Sequence, residues 1–313
     1  MRVFRSIPET YETFAIFSIL ALCWGTSFVA IEIGLAYVPP LLFAGLRYAV
    51  AGLIVFAYAA VFCERLVPTG RDEWGAVAVA GAFLIALYHA LLYVGELYVP
   101  GALAATIVSA TPILTAALAG VLFPEERLSR VGVGGLAVGL AGVIVVVRPG
   151  AGTESDLYLG AALVFGAAVA FAVGSVLVRP LESTLPVEAL QAWSMVLGAG
   201  ILLGWALLRG ESPAAIDPTP VAIASFGYLT LVSSVFAFLL FFELLERSGP
   251  TEVTLVAYAE PAVAMAVSAL LLGYVVDSAA FVGLATILAG FLMLKLETVR
   301  RLVAGEVERH TWG

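Results

Sequence analysis

The sequence predicts an all-α polytopic membrane protein whose ten transmembrane helices form two inverted five-helix repeats. Hydrophobic residues make up 62% of the 313 residues and charged residues 12%, whereas a soluble domain is about 45–50% apolar and about 25% charged. A helix needs roughly 20 apolar residues to cross a bilayer. Ten stretches meet this requirement: 14–36, 40–62, 74–97, 101–123, 131–147, 157–178, 187–208, 219–244, 251–274 and 279–296.

A repeated motif divides these ten stretches into two sets of five. The sequence GLAVGLAG at Gly135–Gly142 recurs as GLATILAG at Gly283–Gly290. About one helix upstream of each copy lies a proline within an apolar stretch, Pro112 in SATP and Pro261 in YAEP. Such self-similarity indicates duplication. Because five crossings are an odd number, the second copy enters the membrane upside down, an arrangement typical of transporters with a site near the midplane.

The repeat sets the predicted domain boundaries. We expect a first five-helix repeat over 13–147, a second over 157–296 and a cytoplasmic tail over 297–313.

The basic residues predict that both termini lie in the cytoplasm. With the N-terminus inside, all but three of the 15 lysines and arginines fall on inside segments. The exceptions are Arg148 and Arg209 in outside loops and Arg47 within the second helix. This is the bias of the positive-inside rule. The turn 124–130 is basic and the matching turn 273–278 is not, which inversion explains because it places the two turns on opposite sides.

The N-terminus and the cysteines predict neither processing nor a metal site. The first apolar stretch is too long for a signal peptide and lacks a small-x-small cleavage site. Cys23 and Cys63 have neither metal-ligand spacing nor the pattern of a disulfide framework. We therefore expect no metal and no cofactor.

Several short motifs, taken in order along the chain, resemble those of a known group. They are WGTSF at 24–28, LRY at 46–48, SATP at 109–112 with ERL at 126–128, YAEP at 258–261 and the paired glycine motif. This set is similar to the EamA-type, ten-helix members of the drug/metabolite transporter superfamily, over residues 13–296. The resemblance implies a secondary transporter of small organic metabolites.

The chain departs from the family at the end of the proline helices, where the resemblance implies a glutamate in both halves. Glu125 lies 13 residues after Pro112, but Tyr274 lies 13 residues after Pro261. Glu126 competes with Glu125 for the first-half position. The missing second glutamate favours a structural role for the first, in which it pairs with a neighbouring arginine, Arg127 or Arg130.

Glu260 is the sharpest candidate for a transport residue. It is predicted near the middle of the ninth helix, where an ionised side chain costs about 2.5–3.5 kcal/mol. Intramembrane carboxylates mostly face a cavity or a partner, and Pro261 frees the carbonyl of Ala257 by lacking an N–H. The alternative is a protonated glutamate that hydrogen-bonds a neighbouring helix.

The repeat register gives Glu260 a polar counterpart in the first half. Aligning Pro261 with Pro112 pairs Glu260 with Thr111 and Tyr258 with Ser109. Inversion brings such pairs to similar depth, so these four residues are candidates for a shared substrate site at the midplane. The alternative for Ser109 and Thr111 is that they satisfy backbone carbonyls at a proline kink.

Aromatic and histidine side chains complete the candidate substrate site. Tyr88 and His89 lie in the third helix, and His89 is either a hydrogen-bonded bundle residue or a substrate contact and proton relay. Trp24 and Trp193 are candidates for stacking on an apolar or aromatic substrate. Proton coupling is a hypothesis that rests on Glu260 and His89.

The remaining charged residues and the glycines of the fifth helix receive structural interpretations. Arg47 is expected to snorkel to the outer interface, with pairing to Glu32 or an anionic substrate as the alternative. Glu32, Glu96 and Glu243 are expected to reach water at helix ends. Gly25 and its repeat counterpart Gly174 are expected to allow close helix approach, as are the glycines of helix five: Gly132, Gly134, Gly135, Gly139 and Gly142.

The two alternative classes of function are a membrane-embedded enzyme and a non-transporting scaffold. The sequence has no HExxH zinc helix, no GxSxG nucleophile elbow and no phosphate-binding GxxxxGK[ST] loop, and ten helices with an inverted repeat exceed what an anchor requires. We therefore predict alternating-access transport, or export, of small amino-acid-like or related solutes across the cytoplasmic membrane. The expected partners are the lipid bilayer, a small-molecule substrate and, on the coupling hypothesis, protons, with no nucleic acid; the oligomeric state stays open.

Overall fold

The computed structural model describes residues 9–147 and 155–310, and all regular structure over these residues is helical. The first five helices are α1 (Glu9–Leu35), α2 (Pro40–Phe62), α3 (Gly70–Gly95), α4 (Gly101–Leu122) and α5 (Arg130–Val147). The next five are α6 (Ser155–Val178), α7 (Val187–Leu208), α8 (Pro220–Gly227, Tyr228–Phe236 and Ala237–Thr254), α9 (Val256–Leu271) and α10 (Ser278–His310).

The helix lengths confirm the ten-helix prediction over the described part of the chain. Nine of the helices contain a stretch long and apolar enough to cross a membrane, and α9 is a shorter apolar helix of 16 residues. Large apolar side chains such as Leu53, Phe62 and Leu270 are exposed along the helices, as expected of surfaces that face lipid rather than water. The chain is a multi-pass membrane protein.

The ninth span and the tail differ from the sequence prediction. Residues 251–254, assigned to the ninth helix, instead end α8, and only Leu255 separates α8 from α9. The predicted tail is helical through His310, because α10 continues without a break; residues 311–313 lie outside the described part.

Two helices contain a π-helical stretch, in which the backbone hydrogen bonds span one residue more than in an α-helix. The stretches are Ala80–Leu87 in α3 and Tyr228–Phe236 in α8. Their last residues are separated by the same interval as Pro112 and Pro261. The π stretch is therefore a feature that recurs at one position in the two sets of five helices.

The proline of α4 stands next to a break in the helix. The α-helical hydrogen bonding stops after Val108 and restarts at Thr111, so Pro112 is near the start of a second segment, Thr111–Leu122. A proline is tolerated there because the first N–H groups of a helix have no partner in any case. Pro261, by contrast, lies inside α9. The two halves thus use their prolines differently.

The repeated glycine motif forms the contact between α5 and α10. A Cβ added to Gly135 would lie 2.6 Å from the carbonyl oxygen of Gly290, and one added to Gly142 would lie 2.8 Å from that of Gly283. Only glycine allows backbones this close. The predicted packing role is confirmed for Gly135 and Gly142, and Gly139 packs closely against the Ile113 side chain of α4.

The other helix contacts occur in related pairs. Helix α2 packs on α7. The contact of α1 with α9 corresponds to that of α6 with α4. In the same way, α3 packs on α6 and α7, and α8 packs on α1 and α2. Gly25 and Gly174 serve two of these contacts, since added Cβ atoms would lie 2.7 Å from the Glu260 carbonyl oxygen and from the Phe83 Cβ. The result is a core in which α3 and α8, with their π stretches, both reach the centre of the bundle.

Ion pairs join the ends of helices on the side predicted to be cytoplasmic. Arg65 binds the Glu73 carboxylate at 2.7 and 2.5 Å, and Arg247 binds Glu12 at 2.8 Å. Glu126 pairs with Arg179 at the end of α6, not with Arg127 or Arg130 as the sequence suggested, because α4 and α6 pack side by side. The Arg179 guanidinium lowers the pKa of the Glu126 carboxyl through this hydrogen-bonded pair.

Candidate functional site

A buried arginine lies at the centre of the helix bundle. Arg47, two turns into α2, is only 4% exposed. Its Nε donates to Ser234 Oγ at 2.9 Å, and its terminal nitrogens donate to Tyr93 Oη at 2.8 Å and Ser233 Oγ at 3.1 Å. The guanidinium therefore joins α2 to α3 and to the π stretch of α8.

The position of Arg47 contradicts the snorkelling prediction. Its partners are hydroxyl groups inside the bundle, so the side chain turns inward rather than to the outer interface. Pairing with Glu32 is also absent: that carboxylate instead accepts the backbone N–H of Gly101 at 2.8 Å. Within the described residues, no carboxylate forms an ion pair with Arg47. A full positive charge is thus held by neutral oxygens, a costly arrangement unless a counter-charge arrives.

Tyr48 links this arginine to His89. The Tyr48 ring lies under the guanidinium, 4.9 Å from Cζ to the ring centroid, in cation–π geometry. The Tyr48 hydroxyl is 2.6 Å from His89 Nε2, and His89 Nδ1 is 2.8 Å from the carbonyl oxygen of Ile85. Because a carbonyl only accepts, Nδ1 carries the proton and Nε2 accepts from Tyr48. Both ring nitrogens of His89 are therefore in use.

Both π stretches present backbone carbonyls to side chains of the site. Ile85 of α3 receives His89, and Ser233 of α8 receives the Trp24 indole N–H at 3.1 Å. π-Helical segments occur frequently at functional sites. Trp24 also packs against Phe238 and Phe241, with centroid distances of 5.8 and 5.6 Å. It is thus fixed against α8.

Glu96, directly after α3, departs from the expectation that it reaches water. It is 5% exposed, and neither carboxylate oxygen has a hydrogen-bond partner. It lies in electrostatic range of Arg47 and Glu32. The chain folds this residue inward because α3 ends against α6, where an added Cβ on Gly95 would lie 2.7 Å from Val164.

The polar residues beside the prolines do not join their predicted counterparts through hydrogen bonds. Ser109 Oγ donates to the Thr106 carbonyl at 2.7 Å and Thr111 Oγ1 to the Val108 carbonyl at 2.6 Å. This is the alternative interpretation, in which both satisfy their own helix at the break in α4. Tyr258 stacks on Phe291 with centroids 4.5 Å apart, and its buried hydroxyl has no partner.

Glu260 lies one turn into α9 rather than near its middle, since α9 begins only at Val256. The carboxylate is partly buried and in electrostatic range of Tyr88, whose ring packs edge-on against His89 at 4.6 Å. Glu260 thus interacts electrostatically with Tyr88, which in turn packs against His89.

Trp193 lies away from this cluster. Its indole N–H donates to the Leu66 carbonyl at 3.0 Å in the connection between α2 and α3. Its ring meets Phe56 and Trp74 with centroid distances of 5.1 and 5.3 Å. These partners place it near the opposite end of α2 from Arg47.

A groove between α2 and α8 lies toward that opposite end. It is lined by Val55 and Tyr58 of α2, Phe238 and Phe242 of α8, and Glu188 at the start of α7. Phe238 is the repeat counterpart of His89, so at this position α3 supplies a polar side chain and α8 an aromatic one, while Ser233 and Ser234 of α8 also belong to the polar centre.

Sequence reasoning missed the hydroxyl partners and Glu96. The available signals were an arginine inside an apolar helix, Tyr93 one turn after His89, and the adjacent serines Ser233 and Ser234 in an otherwise apolar stretch. None of these signals shows by itself which side chains meet.

Comparison with known proteins gives matches over most of the chain. Residues 13–148 and 158–296 each match the model of the EamA-like transporter family. An uncharacterized inner membrane transporter, YedA of Escherichia coli K12, is 31% identical over 268 residues, which is 85% of this chain and 83% of that protein. A probable amino-acid metabolite efflux pump of Salmonella typhimurium is 29% identical over 284 residues, covering 87% and 91% of the two chains.

A solved crystal structure shares the fold. It is 22% identical to this chain, superposes with a TM-score of 0.66, and the match covers 93% of this chain and 99% of the other.

Proposed function

Because this chain belongs to the EamA-like transporter family, we propose that it is a secondary transporter that exports small organic metabolites. The family and the names of its relatives describe transporters and not enzymes. The name of the Salmonella relative, a probable amino-acid metabolite efflux pump, supports amino-acid-like solutes and the export direction. The cytoplasmic membrane is the proposed location, as in the relative named an inner membrane transporter.

The observation that carries the proposal is the buried Arg47 cluster. Its hydrogen bonds connect α2 and α3 of the first five helices to α8 of the second five. A polar centre that bridges two halves of a bundle is where an inverted-repeat transporter binds its substrate. We propose that the halves 13–147 and 157–296 rock about this centre, and that breaking the Arg47 bonds to Ser233 and Ser234 accompanies opening.

The candidate substrate residues divide into two groups in this proposal. Tyr88 packs against His89, His89 packs against Tyr48, and Glu260 interacts electrostatically with Tyr88. These three, Tyr88, His89 and Glu260, are the proposed substrate and proton-coupling residues. Trp24, Ser109, Thr111, Tyr258 and Trp193 support it by packing or by satisfying backbone carbonyls, as their contacts favour.

Transport by purified protein in proteoliposomes tests the proposal. Vesicles are loaded with radiolabelled L-amino acids, sugars or nucleosides, and efflux is compared with that of protein-free vesicles. We expect faster efflux of at least one amino acid, and a further increase when a pH gradient is imposed. Equal rates with and without the gradient rule out proton coupling, and no acceleration for any solute overturns the transport proposal.

Substituting Glu260 with glutamine tests its role in coupling. Glu260→Gln keeps the shape but removes the titratable proton, so we expect expression to be normal and the response of transport to a pH gradient to disappear. Glu125→Gln is the matched control, because that carboxyl is exposed at the end of α4. A Glu260→Gln protein that still responds fully to the gradient removes Glu260 from the coupling machinery.

Cysteine labelling tests the proposed orientation, with both termini in the cytoplasm. Arg71→Cys lies in the exposed first turn of α3, and Ala214→Cys in the exposed turn Pro213–Ala215 between α7 and α8. In intact cells a membrane-impermeant maleimide is expected to label the cysteine at 214 and not the one at 71. The native cysteines Cys23 and Cys63 set the background in the unsubstituted protein. The reverse labelling pattern contradicts the orientation.

A further inference from the structure

Two opposite charges lie near each other inside the bundle without forming an ion pair. Arg47 is 4% exposed and Glu96 is 5% exposed. Glu96 lies one turn after Tyr93, whose hydroxyl accepts a hydrogen bond from Arg47 at 2.8 Å, yet no ion pair joins Arg47 and Glu96 among the described residues. Two buried charges of opposite sign that stay apart are each costly, and the cost is relieved if something with both charges lies between them.

The positive end retains unused binding capacity. The three hydrogen bonds of Arg47 go to the hydroxyls of Tyr93, Ser233 and Ser234. A guanidinium group has more N–H groups than these three bonds use, and its planar fork suits a carboxylate. The hydroxyls orient the guanidinium but supply no negative charge.

The negative end is unsatisfied altogether. Both oxygens of Glu96 are buried and lack a hydrogen-bond partner. The nearby Glu32 makes no hydrogen bond to Glu96, and its own carboxylate accepts the Gly101 N–H. A buried carboxylate without donors bears the full cost of leaving water. An ammonium group provides both the donors and the charge that are missing.

We infer that the unpartnered Glu96 carboxylate and the hydroxyl-held Arg47 guanidinium are two charge subsites for one dipolar solute, with its ammonium group at Glu96 and its carboxylate at Arg47. The inference rests on the proposed transport function, since it names the class of substrate for the same site. A zwitterion is electrically neutral overall. Each of its two charges can therefore pair with the opposite charge of the protein, and the net charge of the site does not change.

Matched ligands test the inference on the purified full-length protein. Thermal stability is recorded with each of the L-amino acids, with their primary amides, which lack the carboxylate, and with their N-acetyl derivatives, which lack the ammonium group. We expect stabilisation by at least one free amino acid, and affinity at least about thirtyfold weaker for both of its derivatives, because losing one partner of a buried charge pair commonly has an effect of this size.

Two variants assign the charges to the residues. In Glu96→Gln the free amino acid and its N-acetyl derivative are expected to bind equally, and in Arg47→Gln the free amino acid and its amide. Arg209→Gln, an exposed outer arginine at the end of α7, is the control and keeps the wild-type preference. The comparison of amino acid, amide and N-acetyl derivative uses the wild-type protein. It therefore tests the inference even if one of the variants fails to fold.

The outcomes separate this inference from the transport proposal. Equal stabilisation of the wild-type protein by amino acid, amide and N-acetyl derivative overturns the two-charge site. Absence of stabilisation by every amino acid also overturns it. If proteoliposomes still release sugars or nucleosides in that case, transport stands and only the substrate class is wrong; if they release nothing, transport fails as well.

Discussion

Replacing Arg47 with glutamine is expected to reduce transport at least about thirtyfold while the protein still inserts and purifies as a monodisperse species. The change removes a buried charge whose loss leaves an opposite charge or a substrate carboxylate without its partner, an effect of about 2 kcal/mol or more. A glutamine at position 47 can hydrogen-bond fewer of the hydroxyls of Tyr93, Ser233 and Ser234, and it carries no charge. Initial efflux rates from proteoliposomes, normalised to reconstituted protein, give the measurement.

Two further arginine variants interpret that loss. Arg47→Lys keeps the charge but not the planar fork that reaches three hydroxyls, so we expect it to recover only part of the rate. Arg209→Gln removes an exposed arginine and is expected to transport normally. If Arg47→Gln transports as the wild type does, the cluster is structural and the substrate binds elsewhere.

Replacing Gly290 with leucine is expected to lower the thermal stability by several degrees. A Cβ at this position would lie 2.5 Å from the carbonyl oxygen of Gly135 and 2.5 Å from the backbone N of Gly139. Neither backbone atom can move aside as a side chain can, so α5 and α10 must separate. Overpacking a tight contact typically costs about 1–3 kcal/mol. Heating detergent-solubilised protein and measuring the remaining monodisperse fraction gives the shift.

The control for this prediction is Gly200→Leu in α7. Nothing lies within 4 Å of a Cβ added there, so the same side chain enters open space, and its better helix propensity is expected to leave stability unchanged or slightly higher. If both leucine variants melt alike, the contact between α5 and α10 contributes little and the glycine motif needs another explanation.

The ten helices were predictable because length and hydropathy are local properties. An apolar stretch predicts a membrane span whatever it contacts, so the predicted and observed helices agree except in the tail, where α10 continues to His310, and near Leu255. There the hydropathy pattern continues past the point where α8 gives way to α9. The glycine contact between α5 and α10 was also predictable, since the motif itself recurs in both helices.

The candidate site was only partly predictable. The repeat register predicts the depth of a residue in the membrane, but not the direction in which its side chain points. Aligning Pro112 with Pro261 placed Ser109 and Thr111 opposite Tyr258 and Glu260 in depth. The structure turns both hydroxyls toward carbonyls of α4 itself. Which way a side chain points depends on the rotation of its helix, and apolar helices in lipid carry little periodic signal for that rotation.

Arg47 and Glu96 also show that the sequence alone does not determine which side chains turn into the bundle. Each has a plausible aqueous explanation in the sequence, since both lie within a few turns of a helix end. Their burial follows from neighbours distant in the sequence: Ser233 and Ser234 receive the guanidinium, and Val164 closes over the end of α3 at Gly95. A single sequence contains these residues but does not show that they are in contact.

The π stretches change the rotational phase of the two helices that contain them. Each residue of an α-helix turns the chain by about 100°, and a π turn takes in an extra residue. Side chains beyond Ala80–Leu87 therefore point about 100° away from where an unbroken α-helix would aim them, and His89 and Tyr93 are among these. Deleting one residue within that stretch would keep α3 helical but would turn His89 away from the Tyr48 hydroxyl and Tyr93 away from the Arg47 guanidinium. The π stretch of α8 causes the same change of rotation. In each half of the protein, the side chains that point to the centre are therefore oriented by an inserted residue rather than by the regular periodicity of the helix.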